Sequence, residues 1–166
     1  MTTKEDPAQR ALEALTLLGE QYEVIPVDPD LADTATFCEH YDYPPEMSGN
    51  TILVASKRGE RKYCACVVLA TTRLDVNHAV RQLLGVKKAS FASAEETQEL
   101  TSMMIGGVTP FGLPAELPIY VDEQVMALEE VILGGGDRST KLMISPSVFR
   151  RMPSVTIVTD LAKPTR

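Results

Sequence analysis

A mixed, mostly antiparallel α+β fold is what this sequence predicts. Apolar residues recur at helical spacing in some segments and as short strand-length runs in others, without a regular strand–helix–strand alternation. Several of the strand-like runs are joined by tight turns, of which Lys57-Arg58-Gly59-Glu60 is the clearest. At 166 residues and 44% hydrophobic content, the chain suits one domain with a sizeable core and is short for two. A single domain over 1–166 is therefore expected, with its core at about 8–158.

The elements follow in order. Asp6-Pro7 reads as N-cap and first helical position, Ala8, Ala11, Leu12, Leu15 and Leu18 share a face, and Gly19 ends the helix. Residues 22–27 form a short strand that Pro26 marks as an edge. Asp33 or Thr34 caps a second helix running to about Tyr41 and stopped by Pro44-Pro45; His40 within it reads as a surface residue. Strands at 50–56 and 62–71 make a hairpin, and the apolar run 64–70 predicts a central strand covered on both faces. Asp75 opens and Gly85 closes a helix that turns Val76, Ala79, Val80, Leu83 and Leu84 inward and His78 outward. A short strand at 87–91 precedes Ser93-Ala94-Glu95-Glu96, a capping box opening a helix to about Ser102. Beyond a glycine turn come strands at 117–121, 130–133, 141–144 and 155–158. Asp122-Glu123-Gln124 is a turn or helical start, Ser145-Pro146 opens a helix, and 163–166 is a frayed tail. The total is roughly seven strands, with the short run at 87–91 as an eighth, and five helices.

Composition narrows the function. No apolar run approaches the roughly 18 residues of a membrane span. The charged, mixed first twenty residues lack a signal-peptide pattern, so a cytoplasmic protein is expected. Aromatic residues make up 5% and Trp is absent, which predicts an aliphatic core. Three cysteines argue against a disulfide framework; Cys64 and Cys66, two apart on a strand, read as buried thiols on one face. A net charge of −7 disfavours wrapping nucleic acid by bulk electrostatics, while leaving room for a pocket that grips a short nucleic-acid end. Basic residues cluster at 57–62, 81–88, 138–141 and 150–151, each an ordinary solvated face unless they converge.

The stretch Ile105-Gly106-Gly107-Val108-Thr109-Pro110-Phe111-Gly112, with Gly134-Gly135-Gly136 later, is the strongest candidate site. Glycine backbones admit close approach and offer N–H donors unshielded by side chains. Read locally, the stretch fits a loop between strands better than a site. GxGxxG before a helix, GxxxxGK[ST], GxSxG, HExxH and CxxC are all missing, and the two His lie on polar helix faces. A hydrolase built from this chain would therefore rely on backbone donors, polar side chains and water.

Taken together, the N-terminal helix, the Pro-terminated second helix, the strand Thr51-Ile52-Leu53-Val54, the long apolar strand, the Gly106–Pro110 loop, Ile119-Tyr120-Val121-Asp122 and Gly134-Gly135-Gly136 running to Lys141-Leu142-Met143-Ile144-Ser145-Pro146 resemble the YbaK-type domain associated with prolyl-tRNA synthetase. The resemblance spans about 8–158. It implies a barrel-like α+β sheet flanked by helices, and hydrolysis of the ester of a mischarged aminoacyl-tRNA without metal or cofactor. The partners it implies are the tRNA 3′ end, as aminoacyl-adenosine, and an aminoacyl-tRNA synthetase, with no membrane. No synthetase or anticodon-binding domain accompanies it, which implies action in trans.

The family's Gly-x-x-x-Pro loop falls on Gly106 to Pro110. Gly106 and Gly107 are then expected to stabilise the oxyanion, with Val108, Thr109 and a rigid Pro110 against the substrate. Gly134, Gly135 and Gly136 shape the opposite wall, and Ser145 or Thr109 positions the ribose or a water. One departure stands out: Asn50 occupies the place of a family lysine that precedes the strand, so a neutral amide replaces a charge. Lys57 and Lys62 are on the same hairpin but are no established replacement. If the missing charge limits the reaction, Asn50→Lys raises the rate. A module that binds the tRNA end without catalysis is the alternative, and an esterase for another small aminoacyl ester a third reading.

Overall fold

The computed structural model describes residues 6–165, so the Arg166 end of the expected tail lies outside the described residues. Helix α1 (Pro7–Leu18) starts where the Asp6 carboxylate accepts from the Ala8 N–H at 3.1 Å and stops at left-handed Gly19. Strand β1 (Tyr22–Pro26) and helix α2 (Thr34–Tyr41) follow. Helix α2 ends at left-handed Asp42, earlier than the proline pair, which instead opens a short 3-10 turn at Pro45–Met47.

A five-stranded sheet is the centre of the molecule. It combines β2 (Gly49–Ser56), β3 (Tyr63–Leu69), β5 (Ala89–Phe91), β6 (Ile119–Asp122) and β9 (Val155–Val158) in the order β5-β2-β3-β6-β9. The β2–β3 hairpin is antiparallel as its turn predicts, while β6 runs parallel to both β3 and β9. Alternation splits β3 cleanly. Ala65 and Val67 enter one core with Leu53, Ile119 and Val121, and Cys64, Cys66 and Val68 enter a second core with Val54. The two thiols stand 3.8 Å apart in that second core, where the hydrogen bond shared with Cys64 and burial push the Cys66 thiol up.

The second core is closed by an expected helix that forms as two pieces, a π-helical turn at Val76–Val80 running into α3 (Arg81–Leu84). Asp75 and Gly85 bound it as the sequence predicts, and His78 stays exposed beside the Asp75 carboxylate. The start of the tail expected to fray, 163–164, is instead held in a strand. There β10 (Ala162–Pro164) pairs antiparallel with β4 (Thr72–Leu74), and Leu161 and Ala162 are buried in the second core. A short tail is held when its backbone finds a strand and its side chains a core.

The first core lies between this sheet and a three-stranded one, β1-β8-β7, formed with β7 (Val131–Gly134) and β8 (Thr140–Ile144). Edge strand β1 carries Pro26, as expected. Helix α1, the 3-10 segment Pro146–Arg151 and α5 (Glu123–Met126) close that core, with Phe111 and Phe149 stacked at 5.9 Å inside it. Ser145 caps the 3-10 segment where an α-helix was expected. Capping box and helix α4 (Ala94–Thr101) form as read from Ser93 and Glu96. The described residues thus contain ten strands, more than the sequence suggests, because β4 and β10 are only three residues each. The sheets are mixed and mostly antiparallel; they flank one another without closing into a barrel.

Candidate functional site

The glycine turn and the triple glycine meet backbone to backbone. A Cβ on Gly134 would sit 2.2 Å from the Val108 carbonyl oxygen, and one on Gly107 would sit 2.6 Å from the Asp137 carbonyl carbon. Between them the Gly136 N–H donates to the Gly107 carbonyl at 2.8 Å. These glycines are required by mutual approach, which no larger residue permits. Arg138 then fastens the turn from outside: its Nη1 donates to the Ile105 carbonyl at 2.9 Å and to Asp33 Oδ1 at 3.2 Å, and its Nε to the Pro29 carbonyl at 3.1 Å. Three segments distant in sequence are tied at one guanidinium.

Beside this junction is a cavity of about 390 Å³, walled by both sheets. Strand β2 contributes Gly49, Asn50, Thr51, Ile52 and Leu53; its neighbour β5 and the residues that follow contribute Phe91, Ala92 and Thr97. The turn contributes Ile105, Gly106 and Val108, the second sheet Gly134 and Lys141, and the start of α2 Asp33 and Thr34. Its size is that of a small-molecule pocket.

Of the residues expected from sequence, Asn50, Gly106, Val108 and Gly134 are brought together in this wall. Gly107, Thr109, Pro110, Gly135 and Gly136 are buried behind it and do not line it. Gly107 is not the free donor expected of an oxyanion site, since its N–H donates to the Met104 carbonyl at 2.9 Å. The Thr109 N–H faces the Met103 sulfur at 3.5 Å, and the Gly135 N–H donates to the Thr140 carbonyl at 3.0 Å. Among the described residues, the N–H groups of Gly106 and Val108 have no protein acceptor. Ser145 is not at the cavity; its hydroxyl accepts from the Ser147 N–H as a helical cap. Lys57 and Lys62 are also outside it, with Lys62 Nζ 3.4 Å from the Leu84 carbonyl.

Polar groups left over by the fold point to what the cavity takes. Asn50 Oδ1 accepts from the Thr34 hydroxyl at 2.6 Å, which leaves the Asn50 amide NH₂ as the end with no protein partner among the described residues. The Thr51 hydroxyl is buried and has none either. An unsatisfied buried hydroxyl costs about 1–3 kcal/mol. Lys141, unmarked by the sequence reading as a site residue, is buried here with its Nζ 5.0 Å above the Phe37 ring. Burial holds its amine below the ordinary lysine range; Cys38 and Asp33 oppose that shift and Arg138 adds to it. No group of three or more His, Cys, Asp or Glu among the described residues is arranged to hold a metal ion.

A family model described as the aminoacyl-tRNA editing domain matches residues 28–152, well over half of the chain. YwhH, an uncharacterised protein of Bacillus subtilis (strain 168), is 30% identical over 108 residues, covering 65% of this chain and 68% of that one. The crystal structure of the hypothetical protein APE2540 superposes with a TM-score of 0.81 at 23% identity, over 93% of this chain and 99% of that one. That of a proposed trans-editing enzyme for prolyl tRNA synthetase superposes with a TM-score of 0.79 at 22% identity, over 98% and 100%. Both structural likenesses concern the fold.

Proposed function

Because the chain belongs to the aminoacyl-tRNA editing domain family, we propose that it hydrolyses the ester of a mischarged aminoacyl-tRNA in trans, with the 3′ aminoacyl-adenosine in the cavity beside the glycine turn. The observation that carries this is the set of polar groups without protein partners beside one cavity: the Asn50 amide and the Gly106 and Val108 N–H groups. An ester between a small acyl group and a ribose presents carbonyl and hydroxyl oxygens at that scale. The acidic chain suits gripping a tRNA by its end better than along its length.

In the reaction, water or a neighbouring hydroxyl of the substrate adds to the ester carbonyl carbon, and the carbonyl oxygen becomes anionic. Backbone N–H groups of Gly106 and Val108 are the donors proposed to meet that oxygen, an effect typically worth about 3–4 kcal/mol for one donor. With water as nucleophile, collapse breaks the bond to the ribose oxygen, which takes up the proton the water loses, and frees the amino acid and intact tRNA. With a substrate hydroxyl, collapse moves the acyl group onto that oxygen as a new ester, and addition of one water to it then frees the amino acid. Gly107, Thr109, Pro110, Gly135 and Gly136 act behind the wall by holding this backbone in place. A prolyl-tRNA synthetase is the proposed source of the mischarged substrate, by likeness to the trans-editing structure.

A deacylation assay over a panel of mischarged tRNAs tests the reading. Release of one small amino acid at a rate above the spontaneous one is expected. No turnover of any aminoacyl-tRNA at high enzyme concentration would reject it and leave a module that binds the tRNA end.

A further inference from the structure

Lys141 carries a charge at a buried place where the fold supplies no counter-ion. Its side chain is 6% exposed, and among the described residues its ammonium makes no ion pair and no hydrogen bond. The one carboxylate in the same wall, Asp33, is held by Arg138 at 3.2 Å. Phe37 covers one side of the ammonium, but an aromatic face satisfies none of its three N–H donors. Burying an ammonium on those terms is costly unless an acceptor arrives from outside. The open side is the cavity, which Lys141 lines together with Asn50 and Thr51.

We propose that Lys141 is the anion-binding group of this cavity, its ammonium receiving an anionic oxygen at the esterified end of the substrate. This rests on the editing reading and deepens it. An aminoacyl-tRNA brings two oxygens of that chemistry: a phosphodiester oxygen of the terminal nucleotide, and the ester carbonyl oxygen as it turns tetrahedral. Either way, the positive charge absent at position 50 on β2 is supplied from β8 in the opposite sheet. Asn50→Lys is then expected to leave the rate unchanged or lower, since it adds a second cation to a cavity that already has one.

Two arms decide it. In the binding arm, adenosine 5′-monophosphate and adenosine are titrated into the wild type and Lys141→Met by calorimetry, which needs no turnover. In the kinetic arm, the best substrate of the tRNA panel is followed with wild type, Lys141→Met and Lys141→Gln. A phosphate role predicts that the wild type prefers the monophosphate, that Lys141→Met loses the preference, and that KM rises. An oxyanion role predicts that kcat falls by about 100-fold or more with KM held. In both cases the variants melt no lower than the wild type, because they remove an unpaired buried charge. Unchanged monophosphate binding together with unchanged kcat/KM overturns the proposal, as does an activity loss that merely follows a fall in melting temperature. If the wild type deacylates nothing, the editing reading fails by itself, and the binding arm still decides whether Lys141 takes an anion.

Discussion

Asp122 is a fully buried carboxylate whose two oxygens have different fates. Oδ1 caps α5 by accepting from the Gln124 N–H at 3.5 Å, and Oδ2 has no partner. Burial pushes its pKa up against the backbone donors of Gln124 and Glu123, with Asp160 and Glu123 adding like charge. A carboxyl with a raised folded pKa contributes stability in full below its unfolded value of about 3.9, and that contribution is lost as pH rises through the folded value. Asp122→Asn keeps an acceptor for the cap and removes the charge. It is expected to stabilise the protein by about 1 kcal/mol at pH 7, and by less at pH 4, in denaturant titrations. Lys141 gives the complementary case. Its lowered folded pKa penalises the fold below that value, and the penalty fades as pH climbs to the ordinary lysine value of about 10.4. Lys141→Met should therefore raise stability by about 1–3 kcal/mol at pH 7, with the gain shrinking in titrations toward pH 10. Asp122 was legible as the start of α5, because a cap is a local signal. Lys141 was not legible as a site residue: Leu142 and Ile144 alternate into the first core, so the lysine just before them, on the face of Met143, reads as the wet face of a strand. Helix α2, far away in sequence, covers that face with Phe37.

Among elements, the glycine turn and β7 behave as one unit. Gly134→Ala drives a methyl into the Val108 carbonyl and is expected to cost about 2–4 kcal/mol along with activity, read by melting and deacylation. Gly59 in the β2–β3 hairpin is the control. It has a positive φ, unlike Gly134, but a Cβ there meets nothing within 4 Å, so Gly59→Ala should cost about 1 kcal/mol and leave kcat/KM alone. Gly106 differs from both, since its Cβ would displace the end of Arg138, a movable side chain, and so release the clamp on Asp33 and Ile105. Turn chemistry in the sequence marked both glycine segments correctly. That they are glycine for each other's sake is a long-range fact, and so is the spending of the Gly107 N–H on Met104. Local signals also located α1, α4 and the hairpin, whose caps and turns lie within a few residues. The β4–β10 pair escaped because two three-residue strands have too little pattern to read.

At the scale of the molecule, the covered central strand was readable as an unbroken apolar run, and β3 is indeed flanked on both edges and packed on both faces. Its parallel partner was not, since β6 joins it across a long connection and β9 then joins β6. Slowest amide exchange is expected across Cys64–Val68, and markedly faster exchange in β10, whose sole neighbour is β4; mass-spectrometric exchange checks the order. No helix among the described residues is long and apolar enough to cross a membrane.

The close approach of Gly134 to Val108 also divides the labour of mutation. Backbone that tolerates no Cβ is closed to drift, so the glycine framework can be inherited unchanged while the cavity's preferences diverge. Divergence is left to the side chains that border the void without holding it together: Ile52, Ala92, Thr97 and Ile105. A lineage could exchange these for larger or smaller neighbours and acquire a new ligand preference while its folding machinery stayed the same. Selectivity and scaffold in this protein are separable traits.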